Sequence, residues 1–107
     1  MKQAATEFRI RTRGKGLHEI TGEVERWVES QRIATGLLTL FCKHTSASLV
    51  IQENADPDVQ TDLSAWFDRA VREDDPHWTH TLEGPDDMPA HVKSALTGVH
   101  LSIPVIG

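Results

Sequence analysis

The run "LLTLFC", Leu37 to Cys42, constrains the fold more than any other stretch of this chain. In a strand, successive side chains point to opposite faces. Leu38, Leu40 and Cys42 then share one face, and Leu37 and Phe41 lie on the other. Apolar residues on both sides predict an interior strand, covered above and below. Extending the run to "LLTLFCKH" brings His44 into line with Leu38, Leu40 and Cys42, at the end of a mostly apolar face.

The cover has to come from helices, and two amphipathic stripes are plain. Ile20, Val24, Trp27 and Val28 recur at helical spacing, with Thr21 as a plausible N-cap and Glu23 and Glu25 favourable in the first turn. "ADPDVQTDLSAWFDRAV" is the clearest helix. Asp56 suits its N-cap and Pro57 its first position, while Val59, Leu63, Phe67 and Ala70 form one apolar face with Trp66 beside it. A third, short helix is expected from about Met88 to Thr97, with Gly98 as its C′ residue.

Further strands are expected at about Ala4 to Arg13, at "ASLVIQEN", and at "VHLSIPV". The second follows the apolar run after only Thr45 and Ser46, which suggests a hairpin. In the last, Val99, Leu101 and Ile103 share a face, and Pro104 suits an edge or a strand end. Between Arg72 and Asp86 the chain is polar and aperiodic, and a loop of that length in a compact domain is usually functional or disordered. Strands and helices interleave without a repeating βαβ unit. The expectation is a single domain over residues 1–107, of α+β class, with a largely antiparallel sheet and about three helices.

Composition narrows the partners. The net charge of −5, from 11 basic and 16 acidic residues, argues against nucleic acid, whose binding requires neutralised phosphates. Arg9, Arg11, Arg13 and Lys15 alternate along the first segment and read as a solvated strand face. No stretch approaches the roughly 20 apolar residues of a membrane span, and the N-terminus lacks a signal-peptide core. Cys42 is the one cysteine, which excludes an internal disulfide and suits a reducing compartment. The expectation is a cytoplasmic protein that engages neither membrane nor nucleic acid.

Four places carry candidate chemistry. His44, at the mouth of the sheet, suits metal binding or proton transfer, or else a backbone hydrogen bond. The hydroxyls of Thr45, Ser46 and Ser48 either meet a phosphate or satisfy turn amides, and the turn is favoured. In "QENADPD", Asp56 is accounted for as a cap, which leaves Glu53 and Asn54 as oxygen ligands for a hard cation. "GPDDMPAHVKSALTG" sets Asp87 four residues before His91. Asp87 caps the helix, Asp86 is spare, and a carboxylate at i can meet a histidine at i+4. His80 lies in the polar loop, where nothing structural requires it. His18, His77 and His100 read as exposed and without a role. The residues alone thus point to a three-histidine site and name no reaction.

Two long blocks, "HTSASLVIQENADPDVQTDL" and "HTLEGPDDMPAHVK", resemble the YjbQ family, and the resemblance runs over nearly the whole chain through "GLHEIT", "GLLTLFCKHTSASL" and "LTGVHLSIPV". It implies a small α+β domain assembled as a homotrimer, with sites near subunit boundaries. It further implies that His44, His80 and His91 converge, with Asn54, Asp86 and Asp87 nearby. Members of the family typically continue past "IPV" into a segment with a GTWQG motif, which these residues do not contain.

The implied activity is a secondary thiamine-phosphate synthase, a transferase acting on phosphorylated small molecules. On that reading His44, Asp86 and Asp87 are catalytic, Ser46 and Asn54 contact the cofactor or substrate, and His44, His80 and His91 hold a divalent metal, zinc or magnesium. Synthase chemistry calls for magnesium on a pyrophosphate, whereas three histidines suit zinc better. Two rival readings therefore stand beside it: a non-catalytic trimer that binds a metal or ligand, and a metal-dependent hydrolase.

Overall fold

The computed structural model describes residues 1–53 and 55–106. Five elements follow in order: α1 (Thr21–Ser30), β1 (Thr35–Phe41), α2 (Pro57–Ala70), α3 (Asp87–Leu96) and β2 (His100–Ile106). Three helices and an antiparallel two-stranded sheet make the α+β class expected from the sequence. By contacts along the chain, residues 1–38 with 103–106 form one compact unit and residues 39–53 with 55–102 a second.

In the first unit, α1 turns its apolar stripe inward. Val24 is buried, and Trp27 and Val28 are half-buried. The ring of Phe8 meets Trp27 edge-on at a centroid distance of 6.3 Å, a favoured aromatic geometry. The helix opens one residue before the expected cap. Ile20 occupies the N-cap position without a side-chain bond, and its carbonyl accepts from the Val24 N–H at 3.2 Å. Thr21 is therefore already helical and caps nothing.

The expected first strand, residues 4–13, takes no regular structure and is exposed. A strand exists only through a neighbour's hydrogen bonds, and no described strand lies alongside this one.

In the second unit, α2 begins as the sequence reads. The Asp56 carboxylate accepts from the Asp58 N–H at 2.9 Å, Pro57 follows, and Val59, Leu63 and Phe67 are half-buried. Val71, just past the helix, is buried. Residues 72–86 form turns and loop, as their aperiodic sequence predicts.

Two strand expectations fail. β1 pairs with β2, not with the segment that follows it. "ASLVIQEN" contributes a single antiparallel bridge, Leu49 to Gly98, and leaves Val50 and Ile51 exposed. A tight hairpin needs the chain to turn and pair at once, whereas residues 45–48 are bonded to α3 instead. β1 is also less covered than an interior strand. Leu38 and Leu40 are half-buried, but Leu37 is 70% and Phe41 65% exposed. With only two strands among the described residues, its second face has no cover. Finally, Gly98 does not end α3 in a left-handed turn. Thr97 closes the helix, and Gly98 already pairs with Leu49, its carbonyl accepting at 2.7 Å.

Candidate functional site

The site assembles at the start of α3. Asp87 is the first residue of that helix and His91 lies four residues on, so both side chains share one face. His80 returns to them through a tight turn, in which the Gly84 N–H reaches the Thr81 carbonyl at 3.3 Å. Gly84 has φ +108°, which side chains avoid, and a Cβ there would lie 3.1 Å from the Asp86 carboxylate. Glycine at this position is what allows the loop to deliver His80.

One oxygen of Asp87 receives both rings. His80 Nε2 lies 2.7 Å and His91 Nε2 3.1 Å from Asp87 Oδ2. The two rings sit 5.6 Å apart, steeply inclined. A ligand atom from each of His80, Asp87 and His91 falls within 4.8 Å of the others. Glu83 stands at the rim, 3.6 Å from His80. The hydrogen bond from His80 holds the Asp87 carboxyl below the usual carboxylate range, aided by Glu83 and His91 and opposed by partial desolvation.

The loop 44–48 is fastened to α3 by residues at three-residue spacing. His91 Nδ1–H donates to the Thr45 carbonyl at 3.1 Å, Ser94 Oγ to the Ala47 carbonyl at 3.0 Å, and Thr97 Oγ1 to Ser48 Oγ. Within the loop, the Ser46 N–H donates to His44 Nδ1 at 2.9 Å. His44 and His91 line one open hollow of about 480 Å³, together with Cys42, Thr45 and Ser94.

The structure thus gathers His80, Asp87 and His91 into direct contact and sets His44 and Ser46 in the loop beside them. Asp86 stays apart: it is exposed, at the N-cap position, and makes no cap bond. The expected cap at Asp87 is corrected, because its carboxylate serves the two imidazoles rather than the helix N–H groups. Asp87 is the first helical residue, one past the N-cap position that Asp86 holds, and its carboxylate faces His80 and His91. Asn54 lies outside the described residues.

Sequence reasoning missed Glu83 and the fastening role of Ser94 and Thr97. Their spacing from His80 and His91 was the available signal. The Thr45 carbonyl had none, since every residue carries one.

The family profile described as YjbQ, UPF0047 protein YjbQ-like, matches residues 6–107. The chain is 50% identical over 97 residues to UPF0047 protein sll1880 of Synechocystis, covering 91% of this chain and 66% of that protein. It is 40% identical over 97 residues to UPF0047 protein YjbQ of Escherichia coli O157:H7, covering 90% and 70%. Among solved structures, the conserved hypothetical protein TT1486 of Thermus thermophilus superposes with TM-score 0.72 at 41% identity, over 82% of this chain and 65% of that one. The hypothetical protein APE1520 of Aeropyrum pernix K1 gives 0.76 at 28%, over 86% and 66%. The chain spans about two thirds of the length of these relatives.

Proposed function

The chain belongs to the YjbQ (UPF0047) family, and from that premise we propose a metal-binding protein in which His80, Asp87 and His91 hold one divalent ion of the zinc class. The observation that carries this reading is a single carboxylate oxygen flanked by two imidazole nitrogens, at 2.7 and 3.1 Å. His91 sharpens it. Its Nδ1 faces a carbonyl, which only accepts, so Nδ1 carries a proton. Its Nε2 then meets Asp87 either as the second N–H of a charged ring or as a lone pair with a cation between them. Thr45 therefore does for His91 what an outer carbonyl does for a zinc-bound histidine: it fixes the tautomer and aims the free lone pair.

The donor set fits such an ion. Two imidazoles and a carboxylate suit zinc better than magnesium, which prefers oxygen throughout. Ligands about 2.0–2.1 Å from a tetrahedral ion lie about 3.4 Å apart, so the two separations from Asp87 need widen only slightly. Three protein ligands leave a position open, as in catalytic rather than structural sites. A bound ion there supplies Lewis-acid polarisation and an activated water. Without the ion, Asp87 orients both rings through the same Nε2 atoms that would turn to the metal, and the hollow beside His91 gives a small molecule room.

The reading is therefore a metal-dependent hydrolase acting on a phosphorylated small molecule, assembled as a homotrimer in the cytoplasm. Thiamine-phosphate synthase activity is the competing outcome, and two imidazoles at the metal count against it.

Zinc titration against a chromogenic chelator tests the reading. Wild-type protein is expected to bind one ion per chain. D87N and H91A should each weaken binding a hundredfold or more, beyond the roughly 10–100-fold loss typical of an outer-shell change. Falling pH should weaken binding too, because protons compete for the imidazoles. Turnover of a phosphate monoester by the zinc form supports hydrolysis, and magnesium-dependent coupling of a pyrimidine pyrophosphate to a thiazole phosphate, with release of pyrophosphate, supports the synthase. Wild-type protein that takes up no zinc would sink the metal reading.

A further inference from the structure

We propose that His44 is not a metal ligand but the hydrogen-bond donor for an anionic oxygen of the bound ligand, a phosphate or phosphate monoester. The proposal rests on the metal reading only for the cation at His91, which lines the same hollow; the rest follows from the geometry of His44 itself.

The Ser46 N–H can only donate, and it lies 2.9 Å from His44 Nδ1. That nitrogen must therefore accept, with its lone pair already engaged. A neutral imidazole has one N–H, which then sits on Nε2. Neither nitrogen of such a ring is free to ligate a metal. What the ring offers is a donor, for among the described residues no hydrogen bond reaches Nε2 and the residue is exposed.

The contrast with His91 is set by one peptide group. The carbonyl that fixes His91 belongs to Thr45, and the N–H that fixes His44 belongs to Ser46, so both are ends of the same peptide bond. In a trans peptide these two groups point in opposite directions. One ring is left with a lone pair on Nε2, turned toward Asp87, and the other with an N–H on Nε2, and both residues line one hollow. A lone pair suits a cation. An N–H from a residue of the same hollow suits the anion such a cation attracts. The hollow, at about 480 Å³, has ample room for a phosphate group.

Three measurements test this. Long-range proton–nitrogen NMR of the metal-free protein should show His44 Nδ1 unprotonated and Nε2 protonated; the reverse tautomer overturns the proposal. In zinc titrations, H44A and H44Q should bind within about twofold of wild type, whereas a loss like that of H91A makes His44 a ligand and overturns it. Inorganic phosphate is then titrated into the zinc-loaded proteins. H44A should bind about tenfold more weakly, the loss expected of one hydrogen bond to a charged group. H44Q, which carries an N–H near the position of Nε2, should recover most of that affinity. Phosphate binding unchanged in H44A also overturns the proposal.

If wild-type protein binds no zinc, the metal reading fails by itself. The same phosphate titration on metal-free protein then decides His44: a weaker H44A sustains the donor role, and an unchanged one ends it. Circular dichroism of both variants should match wild type, because the residue is exposed.

Discussion

At the residue scale, the Asp87 carboxylate sets two imidazoles on one oxygen, and both hold it in its ionised form. A second carboxylate, in the loop before it, gives a clean pH prediction away from the candidate ligands. Arg72 donates two hydrogen bonds to Asp74, at 2.8 and 2.7 Å, and holds that carboxyl below the usual range. Because the folded value is depressed, the contribution is complete above the unfolded value of about 3.9 and is lost as pH falls through the folded one. Both side chains are well exposed, so the effect on global stability is small and the titration itself is the readout. Carbon-detected NMR should give Asp74 a midpoint below the usual one, and R72Q should return it upward. A midpoint that R72Q leaves unchanged would mean the pair does not form in solution.

At the element scale, two helix starts do different jobs. α2 is capped by Asp56, and Asp56→Ala should cost about 1 kcal/mol in urea unfolding, the usual worth of an N-cap. α3 has no side-chain cap, its first carboxylate being diverted to the histidines. Its approach depends instead on Gly84. Gly84→Ala forces a side chain into φ +108° and should destabilise by about 1–2 kcal/mol or more. It should also weaken zinc binding, since His80 arrives through that turn. A variant that loses stability but keeps full zinc affinity would show that His80 is positioned by other means.

At the scale of the whole molecule, the exposed apolar residues dominate. Leu37, Phe41 and Ile106, all in the sheet, are 70%, 65% and 84% exposed. The expectation is that these residues meet a neighbouring copy, because contiguous exposed apolar surface favours association. Sedimentation equilibrium at micromolar concentration is expected to give three times the chain mass of 11.9 kDa, and apparent stability should rise with protein concentration. Phe41→Lys should weaken that association. A monomer at every concentration tested would defeat the trimer.

What the sequence determined by itself is local. Asp56 and Pro57 announce α2, the i, i+4 pair announces the meeting of Asp87 and His91, and period-3.6 stripes announce three helices. Each depends on residues within one or two helical turns, where backbone geometry leaves few alternatives. Tertiary structure decided everything that depends on competition between distant partners. The apolar run of β1 reads as interior, yet which strand pairs with it, and which of its faces is covered, follow from segments some sixty residues away. Residues 48–53 have strand character but contribute only a bridge, because the loop before them is held by His91, Ser94 and Thr97. Histidine spacing could not reveal which ring offers a lone pair and which a proton. A carbonyl and an N–H of one peptide decide that, and backbone groups leave no mark on the order of side chains along the chain.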